Sequence, residues 1–402
     1  MNDRKTIILI YTLCIIFFLP YGKIKAASPY IHKVYEYMPA PGQFVNVLPK
    51  HEDGDTQEDM NRKAEESISG ENKILISLGA YGGYVIFGFD HPIVNVPDSY
   101  DFKILGNAFY AHNNPNQNAD NSREGGSCEP GIVMVSYDAN DNGLPDDAWY
   151  ELAGSEYYKT ETTKNYELSY YQPDENKVRE PMPDYPFIND VSYVKWTSNQ
   201  GDEGYVHRNS FHNQPYYPQW IAAEKMVFEG TKLADNYVDE SGTGSYYVQY
   251  AYDWGYADNH SNTDERSNFN IAWAVDDVGN SVHLPEIHFV KVYTGVNQYC
   301  GWLGETSTEI MGAEDLHPDA VAPTGIFQNQ IEKSFLLLNN PVENTLKISS
   351  AKQQNLEVYD YAGRKQMSLT VKSGTHDIPC HHLPKGVYIL VGNNHNIKFI
   401  KQ

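Results

Sequence analysis

Basic residues are scarce in this chain of 402 residues: 30 Lys and Arg stand against 53 Asp and Glu, a formal charge of −23. That imbalance excludes a broad nucleic-acid-binding face, which needs positive surface to displace counterions from phosphate. An anionic membrane surface would repel it as well. Cysteine is scarcer still, at four. Cys14 sits in the leading apolar run, and Cys128, Cys300 and Cys380 are scattered. An odd number at such spacing is no disulfide framework, although one bridge between Cys128 and Cys300 stays open. Cys380-His381-His382 lacks two of the four ligands of a structural zinc site. It reads as a strand-end cysteine beside two surface histidines.

Long apolar runs are missing beyond the start. Arg4 and Lys5 precede an apolar stretch over 6–19, Pro20 and Gly22 break it, and Lys25-Ala26-Ala27 offers small residues for cleavage. This is the pattern of a signal peptide over 1–26. The stretch is short for a hydrocarbon core of about 30 Å. Leu13-Cys14 has neither the small residue nor the position of a lipoprotein cleavage site, so the mature chain reads as not lipidated. Cleavage after Ala26 removes Arg4, Lys5, Lys23 and Lys25 against Asp3 alone, leaving a more acidic protein with no membrane span.

Catalytic signatures are also lacking. No Gly-x-Ser-x-Gly elbow and no His-Glu-x-x-His occurs, and Gly79, Gly82 and Gly83 match neither a P-loop nor a dinucleotide fingerprint. Close packing or a turn explains those glycines. His207, His212, His283 and His288 have no metal-ligand spacing. A glycosidase needs only two carboxylates, and so acidic a chain leaves that open. Glu203, Glu240 and Glu305, beside glycines and aromatics, are the candidates for such chemistry.

Aromatic residues are plentiful, at 13%, with 32 Tyr. One stretch, 56–69, has helical spacing, with Met60, Ala64 and Ser67-Ile68 near one face. Elsewhere short β-branched and aromatic runs predict strands over 74–78, 84–89, 100–105, 132–136, 149–152, 166–171, 246–250, 270–275 and 288–293, bounded by Gly, Asn, Asp or Pro. So many short strands predict an all-β protein with a jelly-roll-like β-sandwich main domain over 27–317. Pro318, Pro323 and Gly325 punctuate a linker over 318–332. Runs at 335–338, 346–348, 356–359, 367–371, 387–391 and 397–400 then predict a small Ig-like β-sandwich over 333–402.

In that tail, five blocks fall in order: Asn340-Pro341-Val342, Leu356-Glu357-Val358-Tyr359-Asp360, Gly363-Arg364, Leu383-Pro384-Lys385-Gly386-Val387-Tyr388 and Lys398-Phe399-Ile400-Lys401. They resemble a type IX secretion C-terminal sorting domain. The resemblance implies engagement of the type IX machinery, passage through the periplasm and outer membrane, and a mature protein on the cell surface or released.

A second resemblance rests on Gly82-Gly83-Tyr84-Val85-Ile86-Phe87-Gly88-Phe89-Asp90, Tyr100-Asp101-Phe102, Gly106-Asn107-Ala108-Phe109, Glu129-Pro130-Gly131-Ile132-Val133-Met134-Val135-Ser136 and Trp149-Tyr150-Glu151-Leu152. Gly312-Ala313-Glu314-Asp315-Leu316 with Asp319-Ala320-Val321 resembles the closing strand of the same core. These blocks resemble secreted bacterial cell-surface proteins with a jelly-roll, discoidin-like core, similar in architecture to carbohydrate-binding modules. The resemblance implies a fold more than a role.

The densest chemical signal is Asp138, Asn140 and Asn142 at alternate positions, followed by Gly143, Leu144, Asp146 and Asp147. Oxygen side chains at positions 1, 3 and 5 of a loop, then Gly at 6, match the start of a calcium loop. The Leu144 carbonyl and Asp146 fall at positions 7 and 9, but Trp149 stands where a calcium hand has Glu. Asp147 or Glu151 would then complete the shell, and the ion would order a hairpin. A turn capped by its own Asp and Asn side chains is the alternative. A second acidic cluster, Asp253, Asp258, Asn259, Asp264 and Glu265, offers another cation site or a by-product of composition.

Aromatics gather in loop-like stretches: Tyr216, Tyr217 and Trp220; Trp254 and Tyr256; Tyr299 and Trp302. Rings beside polar groups stack on sugars; the same rings also fill sandwich cores. The expectation is a non-catalytic surface protein that captures a nutrient, with Tyr216, Tyr217, Trp220, Trp254, Tyr256 and Trp302 as its ligand surface. A glycan is the default ligand. A cobamide is the second, since similar surface proteins accompany vitamin B12 uptake systems. A glycan hydrolase or lyase and an adhesion protein are the alternatives.

Overall fold

The computed structural model describes residues 27–111, 123–179, 187–322, 335–350, 352–360, 363–392 and 396–402. The expected signal peptide at 1–26 and most of the expected linker, 323–332, lie outside the described residues.

The chain is built almost wholly from short antiparallel strands, as its β-branched and aromatic runs require. The central sheet runs, in spatial order, Lys33–Met38, Tyr84–Val94, Glu286–Thr294, Gly131–Ser136, Trp149–Leu152 and Ala274–Val275. It is covered on both faces. In Gly131–Ser136, Val133 and Val135 enter one hydrophobic core, while Ile132 and Met134 face a second. Alternation of side chains along a strand sends neighbours to opposite faces, which explains why this segment reads as one continuous apolar run.

The first core packs against the helix Gln57–Ile68 and the small sheet Asn268–Phe269, Phe102–Leu105, Gly312–Asp315. The second packs against the sheet Glu203–Asn209, Ile188–Ser198, Thr163–Tyr171, Lys225–Lys232. The protein is therefore an all-β sandwich with sheets stacked on both sides of a shared middle layer. The tail, from Phe335, forms its own pair of antiparallel sheets around Leu346, Ile348, Leu356, Val358, Leu390 and Phe399.

One α-helix occurs among the described residues, where the apolar spacing predicts it. Thr56 caps it and Asp59 returns the bond in a capping box. Its buried residues are Met60, Ala64, Ser67 and Ile68. Its polar side chains cover the sheet edge: Val34 N–H donates to Glu65 Oε2 at 3.0 Å, and Tyr37 N–H to Asn61 Oδ1 at 2.9 Å. Asn61 Nδ2 donates to the Tyr35 carbonyl and Gln57 Nε2 to that of Tyr37. An edge strand otherwise exposed to pairing with another chain is thereby closed.

Close packing explains the glycines near the first long strand. A Cβ on Gly79, whose φ is +70°, would lie 1.8 Å from the Ala40 carbonyl oxygen, and one on Gly83 the same distance from that of Leu78.

Candidate functional site

Three carboxylates, Glu129, Asp258 and Glu309, converge in the main body, and a fourth, Glu305, lines the same cavity as Glu129 and Glu309. Glu129 precedes the strand Gly131–Ser136, Asp258 sits in a turn, Glu305 follows the short helical turn Gly301–Leu303, and Glu309 opens the strand Glu309–Ile310. That strand pairs with Ile76–Ser77, Glu309 opposite Ser77. Oxygens of Glu129, Asp258 and Glu309 all lie within 4.8 Å of one another.

Asp258 is held by the backbone. Its Oδ1 accepts the N–H groups of Asn107 and Ala108, each at 2.8 Å, and its Oδ2 that of Glu309 at 2.9 Å. The chain of Gly106 passes so close that a Cβ there would stand 2.3 Å from Asp258 Oδ1. Asp258 itself adopts a left-handed backbone, φ 53°. Glu129 accepts from the Ser127 hydroxyl at 3.1 Å and the Ser307 N–H at 3.4 Å. Glu305 Oε1 accepts from the Gln43 N–H at 2.6 Å. Two buried oxygens, Glu305 Oε2 and Glu309 Oε1, have no protein partner.

Desolvation dominates the electrostatics. Burial pushes the Glu305 carboxyl up to about 8. It also raises those of Glu129, Asp258 and Glu309, and the negative charge of Glu129 raises the last two further.

Glu129, Glu305 and Glu309 border a cavity of about 390 Å³, lined also by Phe44, Phe211, His212, Trp302, Asn107, Asn209 and Gln249. No Lys or Arg is among its lining residues. Glu305 also lines a smaller adjoining space of about 80 Å³ beside Trp196, Tyr205 and Tyr299. Rings, side-chain amides and carboxyls around one hollow are the groups that grip a polyhydroxylated molecule. A separate hollow of about 550 Å³ contains Arg123, Lys159 and Arg266. Two of its cations are spent on neighbours: Arg266 pairs with Glu124 and Asp264, and Lys159 with Glu156.

Of the aromatic residues expected to form a ligand surface, only Trp302, 38% exposed, reaches this cavity. Tyr216, Tyr217 and Tyr256 are buried core residues instead. Their hydroxyls bond inside: Tyr217 Oη donates to the Ala223 carbonyl, and Tyr256 Oη accepts the Glu156 N–H. Trp220 stacks on Tyr37 and donates to Gln57 Oε1 at 2.9 Å. Trp254 leans on Trp273 at 4.6 Å. These rings are pulled apart because the sandwich needs large side chains between its layers.

The expected catalytic acids separate likewise. Glu203 pairs with Lys195 on an exposed hairpin and Glu240 accepts from the Tyr250 hydroxyl, whereas Glu305 enters the cavity. The second acidic cluster divides too: Asp264 pairs with Arg266, and Asp258 turns inward. Cys128 and Cys300 are both buried and unbridged.

The Asp138 loop folds on itself. Asp138 Oδ1 and Oδ2 accept the N–H groups of Asn142 and Gly143, and Asn140 and Asn142 donate to Asp146. Asp147 accepts the Ala139 N–H, and Leu144 N–H donates to Asn142 Oδ1 at 2.8 Å. Asp141 and Gly143 supply the left-handed residues of the turn. Glu151 is not brought to this loop. Its carboxylate is buried against Lys164 and accepts from the Thr231 hydroxyl.

Glu309 carried no signal in the sequence, since it sits in a short polar–apolar segment like many others. Glu129 and the Gly106-Asn107-Ala108 cradle were visible only as blocks of a resemblance, and the structure places both at the cavity.

Residues 339–402 match the model of a secretion system C-terminal sorting domain. The tail's separate sandwich agrees with that match. The chain is thus a type IX-sorted protein, exported to the cell surface or beyond it. No helix among the described residues is long and apolar enough to cross a membrane. Comparison of the chain with curated proteins finds no match.

Proposed function

We propose that the protein captures a small glycan in the cavity bordered by Glu305 and Trp302, outside the cell, without transforming it. The observation that carries this reading is the buried, unpartnered Glu305 Oε2 at a hollow lined by Trp302, Phe211, Asn209 and Gln249. A protonated carboxyl and side-chain amides supply directed hydrogen bonds, and the indole supplies a stacking face. A cavity of about 390 Å³ suits one or two sugar rings better than a corrin macrocycle, so a glycan is preferred to a cobamide.

The test is a calorimetric titration of the mature protein with a panel of mono- and oligosaccharides and cobamides, followed by product analysis. A saturable signal that weakens about tenfold or more in Trp302→Ala supports capture; that loss is the scale of about 1.4 kcal/mol. Sugar turnover abolished by Glu305→Gln would make the protein a glycan hydrolase or lyase. Absence of any binding would leave adhesion as the reading.

The loop at Asp138, Asn140, Asn142, Leu144, Asp146 and Asp147 is proposed to hold a structural calcium ion. Its support is the convergence of oxygen side chains on one turn. The ion would tie the hairpin between the strands Gly131–Ser136 and Trp149–Leu152.

A further inference from the structure

Two buried carboxylates, Asp258 and Glu309, beside the partly buried Glu129 and with no Lys or Arg lining the cavity next to them, present an electrostatic problem. Each would have to bind a proton, or together they would have to bind a cation, because isolated buried charges are strongly disfavoured. Glu309 is 3% exposed and Asp258 also 3%, and no Lys or Arg lines the cavity beside them. We infer that Glu129, Asp258 and Glu309 form a divalent-cation site of the hard, calcium-like class, opening into the cavity.

The spacing fits one ion. Oxygens within 4.8 Å of one another leave no pair too far apart to share one ion at the usual calcium–oxygen distance of about 2.4 Å. Glu309 Oε1, buried and without a partner, supplies a free ligand atom. Asp258 is preorganised, since three backbone N–H groups hold its carboxylate in place. Its Oδ2 accepts one of these backbone bonds, and the Asn107 side-chain amide also reaches it, at 3.3 Å. The ligand set contains oxygen alone, which selects against soft metals. The cavity leaves the remaining positions to water or to ligand oxygens. This site is separate from the Asp138 loop. It goes beyond the capture reading, because an ion there stands whether or not a sugar binds.

The experiment uses the full mature chain carrying Asp138→Ala, which disables the loop, stripped with EDTA and titrated with calcium chloride by calorimetry. One binding event is expected. Adding Glu309→Gln should weaken it at least about tenfold, the scale on which even outer partners of metal ligands act. Glu129→Gln serves as the second variant should the first fail to fold. Terbium emission excited through tryptophan should appear in the Asp138→Ala protein and fall in Trp302→Phe, which keeps every carboxylate. Binding as tight in Asp138→Ala/Glu309→Gln as in Asp138→Ala overturns the inference. So does an Asp138→Ala protein that binds no calcium, magnesium or manganese at millimolar concentration. In either case protons would hold the carboxylates together. Sugar titrations of the same proteins report separately on the capture reading.

Discussion

Burial raises the Glu305 carboxyl from an ordinary 4.5 to about 8, so the folded protein keeps a proton there that the unfolded chain releases. The consequence for stability has a definite sign. Below 4.5 both states are protonated and the full contribution is present. Between 4.5 and 8 only the folded state holds the proton, so stability falls as pH rises, and above that window the loss is complete. Glu129, Asp258 and Glu309 shift in the same direction. In EDTA, the mature protein should therefore melt at progressively lower temperature across this window, and Glu305→Gln should flatten part of that slope. Parallel pH profiles for the two proteins would show that Glu305 holds no such proton. Glu305 was legible in the sequence as an acid beside a glycine, but so was Glu203, which the structure leaves exposed on a hairpin. Neighbouring residues do not say which of the two is buried.

At the scale of elements, local rules reached furthest in the helix. Its apolar spacing and the Thr56–Asp59 box set its ends at Gln57 and Ile68, with Ser69 as the C-cap. Thr56→Ala removes the side chain that accepts the Asp59 N–H and should cost about 1 kcal/mol, seen as a lower urea midpoint with unchanged slope. An unchanged midpoint would mean that the helix is held by its contacts to Lys33–Met38 alone. Strands whose outer residues are polar were harder to read. Lys33–Met38, Ile188–Ser198, Glu203–Asn209 and Lys225–Lys232 were not among the expected strands, nor was Gly374–Pro379 in the tail. Ile188–Ser198 contains Asn189, Asp190, Ser192 and Lys195, and its β-character comes from pairing on both sides. The segment at 270–275 is instead a short helical turn, Ile271–Trp273, followed by the strand Ala274–Val275.

For the whole molecule, the tail's hydrophobic cluster shares no residue with those of the main body. Deleting 339–402 should therefore leave the main domain folded but block its passage across the outer membrane. Cell fractionation should find the shortened protein in the periplasm and absent from the surface and medium. Equal surface display with and without the tail would sink this reading.

The all-β character, the helix and the export tail were set by sequence alone. Each rests on a pattern within a few residues, or on ordered blocks within one small domain, and needs no knowledge of distant partners. The acidic cavity was decided only by tertiary structure. Glu129, Asp258, Glu305 and Glu309 arrive from separate strands and turns. Asp258 turns inward because the Asn107, Ala108 and Glu309 amides await it. The tyrosines expected at the surface went to the core for the converse reason. Layers packed on both faces of one sheet need large side chains to fill the space between them, and Tyr216, Tyr217 and Tyr256 occupy it.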